Sequence, residues 1–279
     1  MDSIEAQSIH LINLYNILIQ RHKYLMLKEQ EVNKQIERME LRKAKRERKN
    51  KKPNNQTLHF SLDKIEPLTD NQKITFEYYN KDKHLLLIGS SGTGKSFISI
   101  YLSMKEILES KQYEKLIIIR SVVPSHDMGF LPGSIKEKIK IFESPYRQIF
   151  TELFKRDDAY DYLTAKKMVE FISTSFLRGI TFNNCVIIID EVQNLEWNEL
   201  YAIITRIGKN TKVIFCGDYR QSDLKTSYRD DTRKDDILKF IDIIQHISQF
   251  KVIKFNHDDI IRSKLVKEFI IISENLGYV

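Results

Sequence analysis

Gly89-Ser90-Ser91-Gly92-Thr93-Gly94-Lys95-Ser96 concentrates glycines, hydroxyls and one lysine in a single short stretch. Glycines let a backbone curl until successive N–H groups converge on one point, and such a concavity attracts an anion. The spacing Gly89-x4-Gly94-Lys95-Ser96 fits the phosphate-binding loop in full. In that pattern Lys95 reaches the β- and γ-phosphates, the Ser96 hydroxyl ligates Mg2+, and a helix opening at Lys95 adds its positive end. Gly89 through Ser96, with Phe97 after them, are the expected contacts to a nucleoside triphosphate.

A second cluster closes the apolar run Val186-Ile187-Ile188-Ile189 with Asp190-Glu191. Two carboxylates at the end of a buried strand lose hydration unless a cation pairs with them. A Mg2+ ion held through Ser96 is that cation. Asp190 then holds the metal through water, and Glu191 polarises the attacking water. A solvated strand end is the plainer alternative. A third run, Val213 to Cys216, ends in Gly217-Asp218-Tyr219-Arg220-Gln221. Alone this is a turn; beside the other two clusters, Gln221 can touch the γ-phosphate and register its loss. The three together describe ATP hydrolysis. A small-molecule kinase takes its nucleophile from a substrate hydroxyl and has no need of Glu191, so Glu191 and Gln221 argue against that class. A nucleotide-switched binding module with very slow turnover is the alternative from outside the motor enzymes.

These clusters need strands and helices that bring distant residues together. Short, nearly continuous apolar runs occur at Leu85–Gly89, Leu116–Arg120, Phe171–Ser175, Val186–Asp190, Val213–Gly217 and Val252–Phe255. Such runs suit strands buried on both faces. Helical stretches such as Lys95–Glu109 and Asn198–Ile207 lie between them. Alternation of this kind predicts an α/β fold: a mainly parallel sheet between helices, of the RecA-like P-loop type, over residues 57–279.

Residues 1–56 differ in character. Leu11, Leu18, Leu25, Val32 and Met39 recur every seven residues, but Arg21, Lys28 and Gln35 spoil the companion seam. This predicts an amphipathic helical extension rather than a stable coiled coil. Lys52-Pro53-Asn54-Asn55-Gln56 reads as a linker. The formal net charge is +7, and residues 38–52 carry nine Lys and Arg against Glu40 and Glu47, which is the whole excess. A basic run attracts nucleic acid by releasing counterions, though without aromatics it offers no base stacking; a solvated helix is its plainer reading. Cys185 and Cys216 sit in apolar runs and read as reduced, buried thiols. With no apolar run near the ~20 residues of a membrane span and no basic leader, the expectation is a cytoplasmic protein.

Several stretches together resemble the PhoH-like (phosphate-starvation-inducible) ATPase family, and more distantly the first motor domain of superfamily 1 helicases. Arg120 opens a segment ending Gly129-Phe130-Leu131-Pro132-Gly133, close to a family hallmark. Phe176-Leu177-Arg178-Gly179-Ile180-Thr181 resembles the family's Met-Arg-Gly-Arg-Thr, with Ile180 in place of its second Arg. Asp190-Glu191-Val192-Gln193-Asn194, Thr205-Arg206-Ile207-Gly208, the Gly217-to-Leu224 segment and Asp258-Asp259-Ile260-Ile261-Arg262-Ser263 extend the likeness, which runs from about Leu68 to Phe269. Ser91 and Ser96 stand where the family usually has Ala and Thr.

The resemblance implies an ATPase coupled to RNA or single-stranded DNA, working as a homo-oligomeric ring, a hexamer being one such size. It implies that Gln72, 17 residues before Gly89, hydrogen-bonds the adenine edge, which an amide can do as donor and acceptor at once. Asn80-Lys81-Asp82-Lys83 has the wrong order for a guanine motif, so ATP is expected over GTP. It also implies that Arg262, expected just inside a helix capped by Asp258 or Asp259, reaches a neighbouring subunit's γ-phosphate. Arg120, Arg178 and Arg206 compete for that role, and a surface salt bridge is the ordinary alternative for Arg262.

Overall fold

The protein is described by a computed structural model over residues 60–121, 135–177, 179–218 and 230–278. The chain divides at His59 into two units, Met1–His59 and Phe60–Val279, and the fold is that of the second. Its elements are α1 (Asp70–Asn80), β1 (His84–Gly89), α2 (Lys95–Glu109), β2 (Lys115–Arg120), α3 (Ile135–Phe154), α4 (Ala159–Ala165), β3 (Val169–Ser173), β4 (Cys185–Asp190), α5 (Trp197–Ile204), β5 (Thr211–Gly217), α6 (Asp230–Gln245), β6 (Phe250–Phe255) and α7 (Lys264–Asn275).

The six strands form one sheet in the order β3-β2-β4-β5-β1-β6, and every neighbouring pair is parallel. This is the RecA-like arrangement the apolar runs predict. Successive side chains of a strand face opposite ways, and both faces are covered. Leu85, Leu87, Leu116, Ile118, Val186 and Ile188 join the core on one side, with Tyr101, Tyr146 and Phe150. Leu86, Ile88, Ile117, Ile119, Ile187 and Ile189 join the other, with Leu200, Phe240 and Ile244. Two dry faces leave no place for polar alternation, which is why these strands read as unbroken apolar runs.

Each strand begins one or two residues before its apolar run, and two C-terminal ends differ from expectation for local reasons. Strand β3 ends at Ser173 because the Ser173 hydroxyl accepts from Ser175 N–H (3.4 Å) and turns the chain into a single 3-10 turn, Thr174–Phe176. Helix α5 stops at Ile204, and Ile207 instead bridges in parallel to Phe182. Cys185 and Cys216 are buried free thiols. Among the described residues, no helix is long and apolar enough to cross a membrane.

The sheet order decides the site. Strand β5 lies between the phosphate-loop strand β1 and the acidic strand β4. The carboxyl ends of parallel strands all open on one edge, where such sheets bind ligands. Gly89, Gly217, Asp190 and Arg120 are therefore brought to one rim, with Arg120 directly opposite Asp190 in register.

Candidate nucleotide-binding site

A pocket of about 630 Å³ opens on this rim, lined by the loop residues Ser91, Gly92, Gly94, Lys95 and Ser96, by Asp190 and Glu191, by Gly217 and Asp218, and by Gln72, Arg120, Tyr146, Ile261 and Arg262. Phe97 lines it too.

The loop closes around its own lysine. Lys95 Nζ donates to Gly89 O at 2.7 Å, Ser90 O at 2.8 Å and Thr93 Oγ1 at 3.2 Å. Burial pushes this ammonium below the usual lysine range, against the pull of Asp218, Cys216 and the two acidic residues. A desolvated cation with its donors turned into the loop gains when an anion arrives. The Ser90 hydroxyl is buried and has no partner among the described residues, so it too can serve a ligand. Both observations fit a phosphate.

The residues expected to hold a metal also meet. Ser96 Oγ donates to Asp190 Oδ1 at 2.8 Å, so a hydroxyl and a carboxylate meet at the head of α2. A hard cation prefers such oxygen donors. The second Asp190 oxygen, Oδ2, accepts from the Tyr146 hydroxyl at 2.8 Å. Tyr146 is a site residue that no sequence motif marks.

Glu191 adopts the left-handed conformation, φ 54° and ψ 47°, which costs a non-glycine residue about 1–2 kcal/mol. The turn directs its side chain back to the rim, where Gln193 Nε2 donates to Glu191 Oε2 at 2.6 Å. The other end of the same amide, Gln193 Oε1, accepts from Asp218 N–H at 3.0 Å. Gln193 thus ties the candidate base to the end of β5. Gly217 makes room for it: a Cβ there would stand 2.7 Å from Gln193 Oε1 and 2.4 Å from Val192 Cγ1. Gln193 lies within the Asp-Glu motif, but its bridging role exists only because β4 and β5 are side by side.

Gln72 is buried, and its amide is engaged at both ends. Oε1 accepts from Leu68 N–H at 2.9 Å and Nε2 donates to Thr93 O at 3.1 Å. One N–H and one lone pair remain. These bonds join the segment before α1 to the phosphate loop.

Arg262 stands outside a helix, contrary to expectation. Asp258 and Asp259 belong to a separate 3-10 turn, His257–Asp259, and α7 opens only at Lys264 after Ser263. Asp259 does not cap α7; its Oδ2 accepts from Asn256 N–H at 2.8 Å and from Asn71 Nδ2 at 2.7 Å. These bonds fasten the turn to α1, and Ile261 N–H then donates to Gly92 O at 3.0 Å. The Arg262 side chain lies across the loop of its own chain: a Cβ on Gly92 would meet Arg262 Cγ at 2.9 Å, and Gly92 has φ +76°. Of the competing arginines, Arg120 lines the pocket. Arg206 is spent on main-chain carbonyls, with Nε on Leu177 O and Nη1 on Ala202 O, both at 2.7 Å. Arg178, Gln221, the Gly129–Gly133 segment and residues 1–56 lie outside the described residues.

A family model described as PhoH-like protein matches residues 64–274. The PhoH-like protein of Mycobacterium leprae (strain TN) is 30% identical over 210 residues, which cover 74% of this chain and 57% of that protein. Protein PhoH of Escherichia coli (strain K12) is 36% identical over 141 residues, 49% of this chain and 39% of that one. The chain thus aligns with little more than half the length of the first of these curated relatives. The crystal structure of the Hef helicase domain of Pyrococcus furiosus overlays 67% of this chain and 39% of its own at a TM-score of 0.38 and 13% identity, too loose a likeness to carry an argument. With a family match spanning both the loop and the acidic strand, the chain belongs to the PhoH-like protein family.

Proposed function

We propose that this chain is a Mg2+-dependent ATPase whose turnover is coupled to RNA or single-stranded DNA. One observation carries the reading: Lys95, the Ser96–Asp190 pair at 2.8 Å and Glu191 converge on a single pocket. Ser96 and Asp190 would hold Mg2+, which when bound screens the phosphate charge. Lys95 and the loop N–H groups bind phosphate, Glu191 orients water, and Gln193 holds Glu191. Gln72 keeps a donor and an acceptor for the base, the ground for preferring ATP to GTP. The decisive measurement is ATP hydrolysis with Mg2+ or excess EDTA, and with or without single-stranded RNA or DNA. Absence of Mg2+-dependent hydrolysis under all conditions defeats the reading.

A second reading draws on the 2.6 Å bond from Gln193 to Glu191. A base held this firmly would turn over slowly, making a nucleotide-switched binding module. Nucleic-acid affinity that changes between ATP and ADP, with hydrolysis too slow to matter, selects it.

Nucleic-acid binding rests on the basic run at 38–52. Deleting residues 1–56 should leave the ATPase and flatten the dependence of binding on salt, the slope falling by about 0.7–0.9 for each phosphate that the run neutralises in the full chain. An unchanged slope assigns the run to a solvated helix.

For Arg262 we favour action on the nucleotide of its own chain, since its stem crosses Gly92. Arg262→Ala should weaken ATP more than ADP, by about tenfold for one charged hydrogen bond. Mixing Arg262→Ala with Lys95→Ala should restore nothing. Rescue in the mixture, with native mass confirming exchange of subunits, would give the arginine to a neighbour's site. A homo-oligomer has its own support: Leu265, Phe269, Ile272 and Leu276 form an exposed apolar stripe along α7 and its C-cap, the kind of surface that marks an interface.

A further inference from the structure

We infer that Tyr146 is a positioning residue for the metal, holding the Asp190 carboxylate in the orientation that presents its other oxygen to Ser96. The inference rests on the Mg2+-nucleotide reading above and deepens it.

Three observations converge. Asp190 is divided between two hydroxyls, Ser96 on Oδ1 and Tyr146 on Oδ2, each at 2.8 Å. A carboxylate gripped at one oxygen has its rotation fixed, so the remaining oxygen faces the metal position in a single orientation. Second, Tyr146 is only 1% exposed and its ring packs in the core against Phe171, with centroids 5.8 Å apart. Phenylalanine would fill that space equally well, so packing does not explain the hydroxyl. Third, α3 is itself a wall of the pocket, through Pro145, Gln148, Ile149 and Glu152. Pro145 removes one N–H from the interior of this helix, just before Tyr146.

Arg120 completes the arrangement. It stands opposite Asp190 in register, stacks its guanidinium 5.9 Å from the Phe142 ring, and interacts with Tyr146, Glu191 and Asp190. The Tyr146 hydroxyl donates to Asp190 Oδ2 beside it. A helix crossing the rim thereby acts on the metal through one hydrogen bond, without touching metal or nucleotide.

A tyrosine that merely satisfies its own buried hydroxyl predicts something different, and Mn2+ separates the two. Mn2+ replaces Mg2+ and is counted free in solution by its paramagnetic resonance signal, with ADP present so that no turnover is needed. Groups that orient metal ligands typically contribute about 10–100-fold in metal affinity. Tyr146→Phe should therefore weaken Mn2+ by at least about tenfold in the ADP complex, while ADP affinity in EDTA stays within about twofold of wild type. In an Asp190→Ala background the same substitution should have no further effect on Mn2+, because the carboxylate that accepts the bond is already gone.

Mn2+ affinity unchanged in Tyr146→Phe overturns the proposal, as does an equal loss in Mn2+ and in metal-free ADP affinity, or a full effect persisting in Asp190→Ala. A variant that no longer folds at room temperature makes the hydroxyl a folding requirement and overturns it too. Wild-type protein that binds ADP with no contribution from Mn2+ would instead defeat the metal-site reading itself, a result visible before any Tyr146 variant is made.

Discussion

Glu191→Gln is expected to bind ATP with Mg2+ as the wild type does and to hydrolyse it at least ~100-fold more slowly, the low end of what a general base contributes. The structure makes this substitution unusually clean. The residue already occupies a left-handed turn at φ 54°, and glutamine has the same length and branching, so the backbone cost is unchanged. Gln193 Nε2 donates to Glu191 Oε2 at 2.6 Å; the new amide can turn its oxygen to that donor and keep the bond. Asp190 and Ser96 are untouched, so the metal position survives. What disappears is one acceptor for a proton from water. The measurement is a single-turnover rate beside an equilibrium ATP affinity. A lost rate with retained affinity supports Glu191 as the base. An unchanged rate moves water activation to another group, and a wild-type rate that is already as slow as the variant's selects the switch reading.

Sequence and structure part company at a definable point. The loop is legible because its chemistry is local: glycines, lysine and serine act within eight residues of one another. The strands are legible because burial on both faces leaves an apolar run that needs no partner to recognise. Asp190 and Glu191 follow because charges at the end of such a run demand a cation. Tyr146 is not legible. It is one aromatic among apolar neighbours on a helix, and its partner Asp190 lies 44 residues further along the chain. Pro145 inside the helix signals that this turn departs from ordinary packing, but it does not name the acceptor. Gln193 stands in a recognisable motif, yet its second bond, from Asp218 N–H, depends on β5 lying beside β4. Arg262 departs from its expected helix for the same reason. Only the pairing of β6 with β1 carries Phe255, and the turn after it, to the loop, and the bonds of Asp259 to Asn71 and Asn256 then set the arginine across Gly92. Side chains are readable where a local pattern names their chemistry, as at Asp190, and unreadable where only the sheet order supplies the partner.

Lys95→Ala is expected to weaken nucleotide binding roughly 10- to 150-fold. The ammonium is the one fixed positive charge within the loop, and it has three acceptors there, Gly89 O, Ser90 O and Thr93 Oγ1. Phosphate must draw the lysine's donors outward, and the desolvation that lowers its pKa is relieved when it does so. Removing a charged hydrogen bond costs about 1.5–3 kcal/mol, or roughly 10- to 150-fold in affinity. The variant has a second consequence that alanine scanning by activity alone would miss. Without the ammonium, three buried acceptors lose a donor, so the empty loop itself is destabilised. Thermal unfolding separates the two effects. Ligand at about 100 times its dissociation constant stabilises a folded protein by about 2.7 kcal/mol, so ADP should raise the wild-type melting temperature clearly. Lys95→Ala should melt lower than wild type without nucleotide, and with ADP its rise should fall to about half the wild-type rise or less. A normal ADP-induced rise in the variant would mean that phosphate binds elsewhere than in Gly89–Ser96, and the assignment of the loop would fall with it.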